Sequence, residues 1–325
     1  MKHLNKYLAV KRIEFLVTYL CNGKCKHCYA SKHRLGLTEH IDELLAVDIV
    51  RKIAKEYDVE SVMTFGGEPL LFPETVCSIH NEASRSGIPL RQVITNGYWS
   101  SDANRIKIIA RNLYKCGVND VHVSVDAFHQ EYLPIAIVRE AVESCVKVGI
   151  EDITLNPCWV ISEDDDNVYN IRTRLILKKL LDLPVRVSSG NVLEPDGLAI
   201  INLKAFLPRK RAIPDAKCGD MPYTEPLDHM TSISVEPDGR IAVCNDFHIG
   251  NASKIDILDL LRSYDPYEIP EMKAIIENGM RGLTDWARKR GIEPDPTGYY
   301  SICDMCKDLR KRAIAHEKSS SLTKG

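Results

Sequence analysis

Three cysteines fall within eight residues: Cys21, Cys25 and Cys28, in the stretch CNGKCKHC, spaced C-x3-C-x2-C. Thiolate is a soft ligand suited to iron–sulfur clusters, zinc or Cu(I). A closed tetrahedral site takes four protein ligands, so this loop is one short. A four-iron cluster held by three thiolates keeps one iron for a ligand that is not protein, unlike the four-cysteine ferredoxin run. A second set, Cys218, Cys244, Cys303 and Cys306, numbers four and can close a site; its last two form a C-x2-C knuckle. The other four of the eleven cysteines, Cys77, Cys116, Cys145 and Cys158, lie on apolar faces and read as small buried hydrophobes.

Clustered thiols of this kind point to metal binding or catalysis in a reducing compartment. The start of the chain, MKHLNKYLAVKRIEFLV, carries basic residues but no sustained apolar stretch, which argues against a signal peptide. No apolar run approaches the roughly 20 residues of a membrane span. With 325 residues, 44% apolar composition and a net charge of −2, the chain is large enough for a substantial core and shows no polyanion-binding bias. These features predict a cytoplasmic protein with neither a nucleic-acid nor a membrane partner.

The elements that must position the cysteines follow from periodicity. Apolar strand patterns cover 12–20, 61–65, 90–95, 120–125, 152–160 and 185–189. Helical patterns lie between them, over 38–57, 73–85, 102–116, 134–148 and 168–181. In the first helix Ala46, Ile49, Val50, Ile53, Ala54 and Tyr57 share one face, and Thr38 is the expected N-cap. Alternating strands and helices predict a parallel sheet with right-handed crossovers. A partial (β/α)6 barrel and a doubly wound sheet both satisfy that pattern.

The unusual residues then fall on one edge. The three-cysteine loop follows the first strand, GGEP (66–69) the second, and TNG (95–97) the third. SVDAFH (124–129) closes the fourth, NPCW lies in the fifth, and SSGN (188–191) follows the sixth. The carboxyl ends of parallel strands are where such folds build their sites.

The C-x3-C-x2-C loop after a first strand, with His27 in the aromatic slot before the third cysteine and GGEP after the second strand, resembles the radical S-adenosylmethionine (SAM) superfamily over residues 10–195. The resemblance implies a partial (β/α)6 TIM-like barrel and a 4Fe–4S cluster on Cys21, Cys25 and Cys28. The fourth iron would chelate the amino and carboxylate groups of SAM. Gly66, Gly67 and Glu68 would lie beside the SAM amino group, Ser124 and Asp126 near the ribose hydroxyls, and Asn96 in the same pocket. The implied chemistry is reductive cleavage of SAM to a 5′-deoxyadenosyl radical, which removes hydrogen from a peptide or small-molecule substrate. An electron donor such as flavodoxin or ferredoxin is implied as partner.

After about Asn191 the alternation stops. A connector leads to the hairpin SISVEPDGRIAVC (232–244), helical stretches over 255–263 and 271–278, the segment 299–310 and a tail expected to fray. G-x4-C at Gly239 and Cys244, with the later C-x2-C, resembles the small α+β SPASM or twitch extensions of that superfamily. This implies an auxiliary 4Fe–4S cluster on Cys218, Cys244, Cys303 and Cys306 within a second domain, 196–325. Twenty residues separate Cys218 from Gly239, a departure that makes Cys218 the weakest of the four. Only about 20 residues precede Cys21, which tilts against peptide maturases with an N-terminal recognition domain. His129 is read as a substrate contact or a surface residue. The acidic run 162–166 is read as a solvated helix start, and the basic run 208–212 as a solvated linker. The rival reading is a non-catalytic zinc or iron–sulfur binding module, such as an electron carrier; in the zinc form, His27 or His33 would join the three cysteines in a structural site.

Overall fold

A computed structural model describes residues 5–30, 39–213, 215–221, 224–244 and 247–322; His33 and Thr38 lie outside them. The first half alternates as the periodicity predicts: β1 (Leu8–Thr18), α1 (Glu43–Glu56), β2 (Ser61–Gly66), α2 (Pro73–Arg85), β3 (Leu90–Thr95), α3 (Ala103–Lys115), β4 (Asp120–Ser124), α4 (Ile135–Val148) and β5 (Asp152–Asn156). Next come β6 (Cys158–Trp159), α5 (Val168–Leu177), β7 (Arg186–Val187), β8 (Asn191–Val192) and the short α6 (Ala199–Asn202). The remainder holds β9 (Met230–Val235), β10 (Arg240–Cys244), β11 (Phe247–Asn251), α7 (Ile257–Ser263), α8 (Pro270–Arg288) and α9 (Ile302–Leu322).

Several boundaries differ from expectation for local reasons. Helix α1 starts at Glu43, because the Asp42 carboxylate accepts from the Leu45 amide and caps it there. Asn167 caps α5 by accepting from Tyr169 and Asn170, so the acidic run 162–166 lies in the turn before the helix. The expected fifth strand breaks at Pro157, which has no amide hydrogen for the ladder. Beyond the break, β6 pairs with β8 in a separate two-stranded ribbon. Asn278 and Gly279 leave helical geometry, so the first segment of α8 ends at the expected 278 and a second segment runs on to Arg288; the expected frayed tail is helical to Leu322.

Among the described residues the main sheet has nine strands, ordered β11-β10-β9-β1-β2-β3-β4-β5-β7. The strands from β1 through β7 in this order run parallel, as a partial barrel requires, and no pairing of β7 with β11 closes it. The C-terminal hairpin is built onto this sheet: β9 pairs in parallel with β1, from Leu8–Met230 to Phe15–Val235. The sheet is therefore continuous across the expected boundary at 196. No helix among the described residues is long and apolar enough to cross a membrane.

The main core packs the helices on the sheet. A smaller cluster under the functional edge holds Phe128, Cys158, Val160, Leu193, Ala199 and Leu203. Phe128, fully buried, carries the His27 ring at 4.9 Å and stacks on Tyr169 at 4.7 Å. This pedestal sets the height of the cysteine loop. Phe128→Ala should cost about 3–5 kcal/mol, read from the urea unfolding midpoint of the metal-free protein. A loss under about 1 kcal/mol would show that the pedestal does not support the loop.

Candidate cluster-binding site

Strand β1 ends at Thr18, and the chain enters the cysteine loop through Tyr19 and Leu20. The GGEP segment is bonded to that entrance by backbone. The Gly67 amide donates to the Thr18 carbonyl at 2.7 Å, and the Glu68 amide to the Leu20 carbonyl at 2.8 Å. Glycine is required by this approach: a Cβ at Gly67 would overlap the Leu20 carbonyl, and Gly66 takes φ +147° against Thr18. Sequence reasoning assigned these glycines to a ligand; the structure shows that they first serve the cysteine loop.

The Glu68 side chain extends the clamp to the next strand. Its carboxylate accepts from the Leu70 amide at 3.0 Å, the Thr95 hydroxyl at 2.7 Å and the Asn96 amide at 2.7 Å. Complete burial raises its carboxyl, against these donors, to about 7. Asn96, so held, places its amide nitrogen 3.7 Å from the Cys21 sulfur and 2.8 Å from the Asn22 side-chain oxygen. Asn22 in turn donates to the Tyr98 carbonyl at 2.6 Å. Three strand ends thus converge on Cys21.

The loop offers room for an inorganic cluster. A Cβ on Gly23 would stand 3.4 Å from both the Cys21 and Cys25 sulfurs, so glycine keeps the space between them clear. Burial, and the Asp126 carboxylate nearby, push the Cys25 thiol well above its ordinary value. Loading metal at this site must therefore displace a tightly held proton.

Asp126 follows the end of β4, as expected, and is engaged by its own loop. Its carboxylate accepts from the Phe128 and His129 amides at 2.9 Å each, the Cys158 amide at 3.2 Å and His129 Nδ1 at 2.8 Å. Four donors occupy it, so it fixes the β4 loop and has little capacity left for ribose hydroxyls. Burial opposes its charge, but His129 outweighs burial and holds the carboxyl below its usual range. Ser124, half-buried at the end of β4, lies opposite Asn156. His129 is neither on the surface nor isolated: its ring meets His27 edge-on at 4.9 Å. Burial and His129 lower His27 to about 4, and its buried Nδ1 has no hydrogen-bond partner among the described residues. The three-residue interval from Asp126 to His129, one turn, was the available signal for this pair.

Residues 196–202, read as connector, back the other end of the loop. The Leu198 amide donates to the Cys28 carbonyl at 3.0 Å, and Asn202 to the Lys26 carbonyl at 3.2 Å. Gly197 lies so close to Cys28 that a Cβ would overlap its carbonyl. Asp196 pairs with Lys307 at 2.8 Å, which links this support to α9.

The second cysteine set gathers on the C-terminal elements. Cys303 and Cys306 sit one turn apart on α9, Cys244 ends β10, and Cys218 precedes the hairpin. Cys218 is electrostatically coupled to Cys244 and Cys303; burial, with these two thiols, pushes it up to about 12.

Residues 15–175 match the model of the Radical SAM superfamily. The GTP 3′,8-cyclase of Alkaliphilus metalliredigens (strain QYMF) is 22% identical over 305 residues, covering 84% of this chain and 90% of that protein. The probable GTP 3′,8-cyclase of Sulfolobus acidocaldarius is 24% identical, covering 83% and 90%. The solved structure of native anSMEcpe with bound AdoMet superposes with a TM-score of 0.54 at 14% identity, covering 97% of this chain and 98% of that one. At that identity the likeness concerns the fold alone.

Two outcomes test the clamp. Gly67→Ala should lose most of the iron held by the first site after anaerobic reconstitution, measured against total protein. Glu68 gives a pH test, because its folded value lies above the ordinary 4.5. Its contribution to metal-free stability is full below that ordinary value and is lost as pH rises through about 7. The stability of the native protein relative to Glu68→Gln should therefore fall by roughly 3 kcal/mol between pH 4.5 and 8. A flat difference would mean that the carboxyl is not raised.

Proposed function

The chain belongs to the radical SAM superfamily through the domain it forms over residues 15–175, and on that premise we propose an enzyme that cleaves SAM and removes hydrogen from a small-molecule substrate. The observation that carries this reading is the convergence of GGEP, TNG and the cysteine loop on one sheet edge, with Asn96 against Cys21. A 4Fe–4S cluster on Cys21, Cys25 and Cys28 would supply the electron that splits SAM into methionine and a 5′-deoxyadenosyl radical. The chain's own part is positional. Gly66 and Gly67 hold the loop entrance, Glu68 holds Thr95 and Asn96 beside it, and Ser124 faces the ribose. Phe128 and His27 close the floor against water. An external one-electron donor such as flavodoxin or ferredoxin is the proposed partner.

The relatives support a small molecule over a peptide. Two that this chain covers to 90% of their length are named for GTP cyclisation. GTP is thus the first substrate to try. Cys218, Cys244, Cys303 and Cys306 are proposed to hold an auxiliary 4Fe–4S cluster in a twitch-like C-terminal unit over 196–325. The coupling of Cys218 to Cys244 and Cys303 supports Cys218 as the fourth ligand.

With dithionite and SAM, the reconstituted protein should release 5′-deoxyadenosine, and Cys25→Ala should reduce that release at least 100-fold, about 3 kcal/mol. Iron loading without any SAM cleavage would favour the electron-carrier reading. GTP should accelerate 5′-deoxyadenosine formation; no response to GTP removes this substrate and leaves SAM cleavage standing. Cys306→Ala should lose one cluster's iron while the signal of the first cluster persists.

A further inference from the structure

Two of the cysteines read as inert hydrophobes are placed for chemistry. Cys77 lies on α2, and Cys116 caps the C-terminus of α3. The two thiols lie near enough across the groove between the helices to act on each other's ionisation, and the Cys116 thiol donates to the Leu113 carbonyl at 3.2 Å. Neither is bonded to another cysteine. Both line a surface cavity of about 330 Å³ whose other walls include Glu74, Asn81, Asn112 and Lys115. That volume is at the lower end of what a small ligand occupies. Lys115 and Glu74 offer opposite charges, suited to a zwitterionic thiol compound.

We infer that Cys77 and Cys116 form a reversible redox pair, oxidised to a disulfide by a low-molecular-weight disulfide that enters this cavity. The pair is asymmetric. The neighbouring Cys77 thiol, with the backbone amides of Val118 and Cys116, holds Cys116 below the ordinary thiol value despite burial. Cys77 is raised by the same contact and is the more exposed of the two. The Cys116 thiolate attacks one sulfur of the oxidant, forms a mixed disulfide and releases one thiolate. Cys77 gives its proton to that leaving thiolate and attacks the Cys116 sulfur, which releases a second thiolate; this takes up from solvent the proton that Cys116 lost on ionising. The protein loses two electrons and two protons, and one external disulfide becomes two thiols. The link would tie α2, which follows directly on the GGEP turn, to the end of α3. The exchange proceeds independently of SAM chemistry.

The test uses the full chain with its iron loaded, incubated anaerobically with oxidised glutathione, quenched in acid, alkylated, digested and mapped by mass spectrometry. The expected result is a linked Cys77–Cys116 peptide lighter by two hydrogens, removed by dithiothreitol, with buried Cys145 unmodified. Recovery of Cys77 and Cys116 as separate alkylated thiols or separate glutathione adducts overturns the pair. In Cys77→Ser, reaction should stop at a glutathione adduct on Cys116. A variant that melts at the native temperature yet carries no adduct overturns the assignment of Cys116 as nucleophile.

Discussion

The site depends on two backbone hydrogen bonds, from Gly67 to Thr18 and from Glu68 to Leu20. They join the end of the second strand to the entrance of the cysteine loop, beyond the regular ladder. Any side chain at Gly67 would occupy the position of the Leu20 carbonyl. From this joint the Glu68 carboxylate passes the constraint to Thr95 and Asn96, and Asn96 passes it to Cys21. The position of one sulfur is thus set by three strands. A buried carboxyl raised to about 7 is a cost that the fold sustains for this arrangement.

A second support comes from below and behind. Asp126 draws four donors and folds the β4 loop so that Phe128 lies under His27. Residues 196–202 hold Cys28 and Lys26 through their carbonyls. Asp196 and Lys307 then connect the loop to the helix that bears Cys303 and Cys306. The two cysteine sets are therefore physically joined, on a sheet that runs unbroken from the hairpin through β1.

Much of this was legible in the sequence, and for identifiable reasons. The strand and helix alternation was strong because each helix has one apolar face, and α2 begins and ends where its pattern does, at Pro73 and Arg85. The site motifs were legible because short chemical signatures recur at strand ends. Less legible were contacts that depend on who faces whom. Asp126 and Glu68 read as ligands because the family resemblance implies it; only the fold shows how many amides already address them. Residues 196–202 read as connector because support of a neighbouring loop by backbone carbonyls leaves no side-chain pattern. Pairing of β9 with β1 spans more than 200 residues and has no local trace. Cys77 and Cys116 read as core for the same reason: each is unremarkable on its own helix.

The central claim is that the three-cysteine loop holds a cluster with one position reserved for SAM. Electron paramagnetic resonance of the dithionite-reduced protein tests it most directly. With that position reserved, adding SAM changes the signal of the first cluster, and Cys28→Ala abolishes both that signal and its response. A first-cluster signal indifferent to SAM would contradict the claim.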